Sequence, residues 1–248
     1  MPYKSRGIYK EEGKVRDYNL FVIVAEGSKR EVEYLMPFDI VDRIKVVNIP
    51  QTTEDKGSSP DHVQARMERY INDEGLSEAD NDTLWCVIDV DQWPQANINS
   101  LADFCKKHSC TSLIVSNPCF EAWLLYHKLD DLSGIDCSKS QNLKNALGAL
   151  NPGGYNYHTY IPLIETAIKN ARTHDNNPSP MSYMPAVGGT KMYLLAESLM
   201  SNIGAPRWEK FMKELPHIDV VFDQNGAASI RVTNKYNCNR TKNERQTI

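Results

Sequence analysis

The sequence predicts an α/β fold, a mostly parallel sheet flanked by helices with a helical elaboration after it. Two observations carry that expectation: four short apolar runs alternate with helix-length amphipathic segments between residues 18 and 128, and the pattern turns helical beyond residue 130. Strands alternating with helices imply crossover connections, and these pair neighbouring strands in parallel with both faces covered.

Each element has a local cause. Tyr18 to Ala25 is a continuous apolar run ended by Glu26-Gly27, as suits a strand buried on both faces. Ser28-Lys29-Arg30-Glu31 has the form of a capping box, and Val32, Leu35, Met36 and Phe38 supply the apolar side of the helix it opens. Ile44 to Ile49 reads as the second strand. Ser59-Pro60 predicts a helix start, Val63, Met67, Tyr70 and Ile71 form its stripe, and Gly75 is its stop. Leu84 to Val90 is the third strand, Ile98 to Cys105 a helix, Thr111 to Ser116 the fourth strand, and Pro118 to His127 a helix with proline in its first turn. Helices are expected at 141–150, 161–174, 190–202 and 207–215. A hairpin at 218–222 and 230–232 is expected to turn at Asn225-Gly226, a pair that favours a type I′ turn. The predicted organisation is an α/β domain over 18–130, a helical lobe with terminal hairpin over 131–233, and a flexible tail over 234–248.

Composition narrows the function classes. The chain has 248 residues, 41% of them hydrophobic and 24% charged, enough for a sizeable core without covalent staples. No stretch is long enough to span a bilayer and the polar start has no secretory character, so we expect a cytoplasmic protein without a membrane partner. Six scattered cysteines show neither a disulfide framework nor zinc spacing. A net charge of −4 argues against a surface wholly given to nucleic acid, although Lys4 to Arg16 and Lys235 to Arg245 are locally basic. These end clusters read as solvated tails.

The chemistry-bearing residues fall at predicted strand ends, where open parallel sheets bind ligands. Asp89 and Asp91 close the third strand, and residues two apart on an extended segment face the same side as like charges. With Glu26 after the first strand they form a three-acid set suited to Mg²⁺ or Mn²⁺. Glu26, if left free of metal, could act as general acid or base. Glu121, in the first turn of its helix, is a cap or a further acid at the same edge, and His127 is a core histidine or a catalytic one. Asn117 follows the fourth strand. Lys191, after Gly188-Gly189-Thr190, is a phosphate contact only if the lobe folds over the acids.

Three runs in this order, Val24-Ala25-Glu26-Gly27 through Tyr34, Trp85-Cys86-Val87-Ile88-Asp89-Val90-Asp91, and Ser116-Asn117-Pro118-Cys119-Phe120-Glu121-Ala122-Trp123 through His127, resemble the RloB-like family of bacterial proteins. The resemblance implies a Toprim-like fold, an Mg²⁺-dependent nuclease acting on DNA or RNA in anti-phage defence, and an ATPase partner. It matches Glu26 to the acid/base position, and Asp89 and Asp91 to the metal-binding pair. The chain departs from the family pattern at Ser28 to Glu31, where the second acid is shifted, which leaves Glu31 without a matched role. It departs again at Gly188-Gly189-Thr190, where the family has N-P-S-T.

Other readings are a non-catalytic scaffold or regulatory subunit beside an ATPase, and metal-dependent nucleotidyl or glycosyl transfer, to which Glu26 does not belong. A dehalogenase-type phosphatase needs an early D-x-D-x-T that this chain lacks. Assembly into a homo-oligomer is compatible with all of these.

Overall fold

The computed structural model describes residues 18–27, 29–50, 57, 59–90, 93–179, 182–224, 226–234 and 237–241. Strands β1 (Asn19–Ala25), β2 (Ile44–Asn48), β3 (Thr83–Asp89) and β4 (Thr111–Ser116) form one parallel sheet in the order β2-β1-β3-β4. Helices α1 (Arg30–Leu35), α2 (Pro60–Glu74) and α3 (Gln95–Lys107) connect them in turn. The strand order reverses direction at β1, so the crevice between the carboxyl ends of β1 and β3 is the switch point where such sheets bind ligands.

Alternation along the strands divides the interior in two. Leu20, Val22 and Val24 of β1 and Leu84, Cys86 and Ile88 of β3 pack under α2 and α3 through Val63, Met67, Ile98, Leu101 and Cys105. Phe21, Ile23, Ala25, Trp85 and Val87 face the other way, onto α1 and α4 (Glu121–Tyr126). Leu20 to Ala25 and Leu84 to Ile88 are apolar without interruption because both faces are covered, each fully buried large side chain contributing about 1.5–3 kcal/mol.

The second face continues without a break into helices α5 (Ser140–Leu150), α6 (Tyr157–Tyr160), α7 (Ile164–Thr173), α8 (Met192–Ile203) and α9 (Ala205–Glu214). Leu143, Ile164, Leu195 and Phe211 belong to the same buried cluster as Phe21 and Trp123. The C-terminal helices therefore share their core with the sheet, and no gap in packing marks residue 130.

Several expectations are corrected in detail. Pro118 does not open α4. It lies in the preceding loop, after a cis Asn117–Pro118 bond, and the helix starts at Glu121. The expected capping box also fails: Lys29 is the N-cap of α1 and no side chain caps it, while Ser28 lies outside the described residues. Gly75 does stop α2, with φ 67° and its N–H donating to the Ile71 carbonyl at 3.0 Å.

At the C-terminus β5 (Ile218–Phe222) pairs antiparallel with β6 (Ala228–Asn234). The connection is longer than a two-residue turn: Asp223 N–H donates to the Ala227 carbonyl, and Gly226 N–H to the Asp223 carbonyl. Residues 237–241, expected within a flexible tail, form a third strand, β7 (Asn237–Thr241), on β6. Among the described residues no helix is long and apolar enough to cross a membrane.

Candidate active site

Asp89 is the last residue of β3 and follows Trp85 and Val87 in strand parity, so it belongs to the face covered by α1 and α4. Glu26 leaves β1 beside it. The Glu26 backbone N–H donates to the Val87 carbonyl at 2.8 Å, and its carboxylate returns across the crevice: Oε2 accepts the Asp89 N–H at 2.9 Å and Oε1 accepts the Trp93 indole N–H at 2.8 Å. These two donors orient the carboxylate.

Helices α1 and α4 bring further acids to the same edge. Glu31, one residue into α1, is 7% exposed, and Glu121, the first residue of α4, is 4% exposed. Gly27 makes room for Glu31, since a methyl group there would overlap its carboxylate. Glu121 caps nothing. Its Oε1 takes the Arg30 guanidinium in an ion pair, and Arg30 keeps 44% of its side chain in solvent.

Electrostatics show that the acids act on one another. Burial first, then the charges of Glu121 and Glu26, raise the Glu31 carboxyl to about 7, against a hydrogen bond from its own backbone N–H and the pull of Arg30. Asp89 is held well above the usual carboxylate range by burial and by Glu31, Glu26 and Glu121, with the Phe120 N–H opposing. The four carboxylates thus act on one another, Glu26 and Glu121 raising the proton affinities of Glu31 and Asp89 while Arg30 lowers that of Glu31.

Hard carboxylate oxygens that raise one another's proton affinity fit Mg²⁺ or Mn²⁺ in kind, and either ion would relieve the repulsion. Among the described residues no three His, Cys, Asp or Glu side chains form a ready-made metal-binding group. Asp91, the expected second member of the metal pair, lies outside the described residues. Magnesium commonly takes one or two carboxylates, with water and substrate phosphate completing its shell. Asp89 and Glu26, with Glu121, are the described side chains at hand for that role.

Three expected site residues serve the fold instead. His127 is 2% exposed, with Nε2 at 2.9 Å from the Tyr34 hydroxyl and Nδ1 at 2.9 Å from the Trp123 carbonyl oxygen. Burial lowers its pKa to about 3 against the hydrogen bonds that would raise it, so it is a neutral core histidine and not a proton shuttle. Lys191 is fully buried, donating to Asp175 Oδ2 at 2.6 Å and to the Asn177 carbonyl at 2.5 Å, and Tyr193 completes the group on Asp175 at 2.6 Å. With its ammonium so enclosed it cannot meet a phosphate. Asn117 latches the 185–189 segment, its Nδ2 donating to the Pro185 carbonyl at 3.0 Å while its backbone pairs with Gly188 and Gly189. Thr190 then bridges to Ser116 at the end of β4, tying Gly188-Gly189-Thr190 to the sheet edge.

Glu31, Arg30, Trp93 and Arg66 escaped the sequence reading. Arg66 projects from the buried side of α2, is 1% exposed, and donates to the Ala25 carbonyl at 3.0 Å, directly before Glu26. Its position between Val63 and Met67 on the stripe was the available signal. For Glu31 the signal was its place on the same turn of α1 as the buried Val32 and Leu35, beside a glycine.

A family model described as RloB-like protein matches residues 21–199, which include Glu26, Glu31, Asp89 and Glu121. No curated protein matches the chain, and no solved structure does. With well over half of its length matched, the chain belongs to the RloB-like family.

Proposed function

We propose that this member of the RloB-like family is a divalent-cation-dependent nuclease that hydrolyses phosphodiester bonds in DNA or RNA, working in anti-phage defence beside an ATPase partner. The single observation that supports the chemistry is the meeting of Glu26, Glu31, Asp89 and Glu121 at the sheet's switch point, where they raise the proton affinities of Glu31 and Asp89. The fold and the position of these acids agree with the Toprim-like arrangement that the family resemblance implies.

Asp89, with Glu121 and Asp91, would hold Mg²⁺ or Mn²⁺. The ion would screen the phosphodiester's charge and lower the pKa of an attacking water. Glu26 is the general acid/base: fixed by the Asp89 N–H and the Trp93 indole, it can accept a proton from water or return one to the leaving oxygen. Arg66 keeps the end of β1, and so Glu26, in register from beneath. Glu31, with its carboxyl raised to about 7, can lose its proton near neutrality as a cation arrives.

Incubation of single-stranded and duplex DNA and RNA with Mg²⁺ or Mn²⁺ tests the reading. We expect divalent-dependent cleavage by the parent protein and its loss in Glu26→Gln and Asp89→Asn. Cleavage that survives both substitutions would refute it. One observation favours a scaffold instead: Arg30 already neutralises Glu121, as it would in a site that takes no metal. A folded protein that binds neither Mn²⁺ nor nucleic acid would establish that alternative.

A further inference from the structure

We propose that Arg30 is the phosphate-binding residue of this site, parked on Glu121 in the metal-free protein and released to substrate when a divalent cation takes that carboxylate. The inference rests on the metal-dependent reading above and assigns a role to a residue for which neither the motif nor the strand pattern provides one.

The ion pair has one fixed half and one movable half. The Glu121 side chain is 5% exposed, whereas Arg30 remains 44% exposed at the start of α1. A structural ion pair in the same protein looks different: Lys191 and Asp175 are both enclosed, at 0% and 1%. Lys29, the neighbour of Arg30, is largely exposed and turned to Glu33 at 3.9 Å, so the two adjacent cations serve different partners.

Chemistry permits the exchange. A guanidinium presents the same planar fork to a carboxylate and to a phosphate, so Arg30 can trade one for the other without new geometry. A buried carboxylate such as Glu121 needs a countercharge whichever partner supplies it. Arg30 meets that need while metal is absent, and it also draws down the proton affinity of Glu31. Once a cation sits against Glu121, a second positive charge there is surplus, and the solvent-facing guanidinium is free to meet the substrate's backbone.

Two binding measurements should move in opposite directions. Calorimetric titration with Mn²⁺ should show Arg30→Gln binding about two- to fivefold tighter than the parent, the range for loss of one partly exposed competing ion pair. Fluorescence anisotropy of a labelled twelve-nucleotide oligothymidylate in Ca²⁺ should show the same variant binding about tenfold more weakly. Arg30→Lys keeps the charge without the fork and should fall between the two in both assays, with circular dichroism verifying the fold. Lys29→Gln removes an equal charge next door and should leave Mn²⁺ affinity unchanged. The proposal is overturned if Arg30→Gln leaves Mn²⁺ binding unchanged or weakens it, if oligonucleotide binding is not reduced, or if Lys29→Gln reproduces the effect. Absence of Mn²⁺ binding in the parent, with or without oligonucleotide, would overturn the metal reading as well; binding that Asp89→Asn abolishes while Arg30→Gln leaves it untouched would overturn the role of Arg30 alone.

Discussion

Replacing Glu31 with glutamine removes one of four mutually repelling carboxylates while keeping the side chain's size and an oxygen for its own backbone N–H. Burial and the charges of Glu121 and Glu26 hold its proton to about pH 7, against an ordinary 4.5. A carboxyl raised by folding stabilises the protein fully below the unfolded value and loses that contribution as pH climbs from about 4.5 through about 7. Above both values the folded state carries a penalty of about 3 kcal/mol from this one group. Glu31→Gln should therefore be more stable than the parent by about that amount at pH 8 in chelator, and nearly equal at pH 4.5. For a chain of this length each kcal/mol moves Tm by about 2–4 °C, so the gap at pH 8 is about 6–12 °C by differential scanning calorimetry. Saturating Mg²⁺ should shrink the gap by relieving the repulsion. A difference that is the same at both pH values, or absent at pH 8, would refute the idea that the acids repel one another across this edge.

Three other predictions follow from the same geometry. Lys191→Met leaves Asp175 charged and enclosed, so urea denaturation should show a loss of about 3–5 kcal/mol; a loss below 1 kcal/mol would mean the pair is not buried in solution. His127 should show no change in its imidazole NMR shifts between pH 5 and 8, because burial keeps it neutral far below the ordinary 6.5; a midpoint near 6 would return it to the candidates for proton transfer. Gly27→Ala should displace the Glu31 carboxylate and lower its titration midpoint toward 4.5; an unchanged midpoint would show that Glu31 does not lie over Gly27.

Much of the sheet was readable because the central strands β1 and β3 are buried on both faces and bounded by turn or charged residues. Thr111 to Ser116 has its expected limits, β1 differs from its expected range by one residue at its start, and β3 is shifted by one residue at each end. The position of Glu26 and Asp89 at one edge followed from that pattern and the rule for parallel sheets. What the pattern could not supply was the helix contribution. Glu31 and Glu121 reach the edge because α1 and α4 share the face that carries Asp89, a tertiary fact that strand periodicity does not encode. His127 and Lys191 failed as site residues for a related reason: a polar residue on an otherwise apolar stripe is resolved only by its partners, here Tyr34 and the Trp123 carbonyl, and Asp175. Strand β7 was missed because its composition is polar, and it forms by extending the β6 edge.

Divalent-cation binding bears most directly on the acid edge. Calorimetric titration of Mn²⁺ into the parent protein, Asp89→Asn and Glu26→Gln, in one buffer at one pH, should show a saturable site in the parent that weakens at least tenfold in Asp89→Asn. Saturable binding that Asp89→Asn leaves unchanged, or no binding by the folded parent protein with or without oligonucleotide, would contradict a metal-dependent site between β1 and β3.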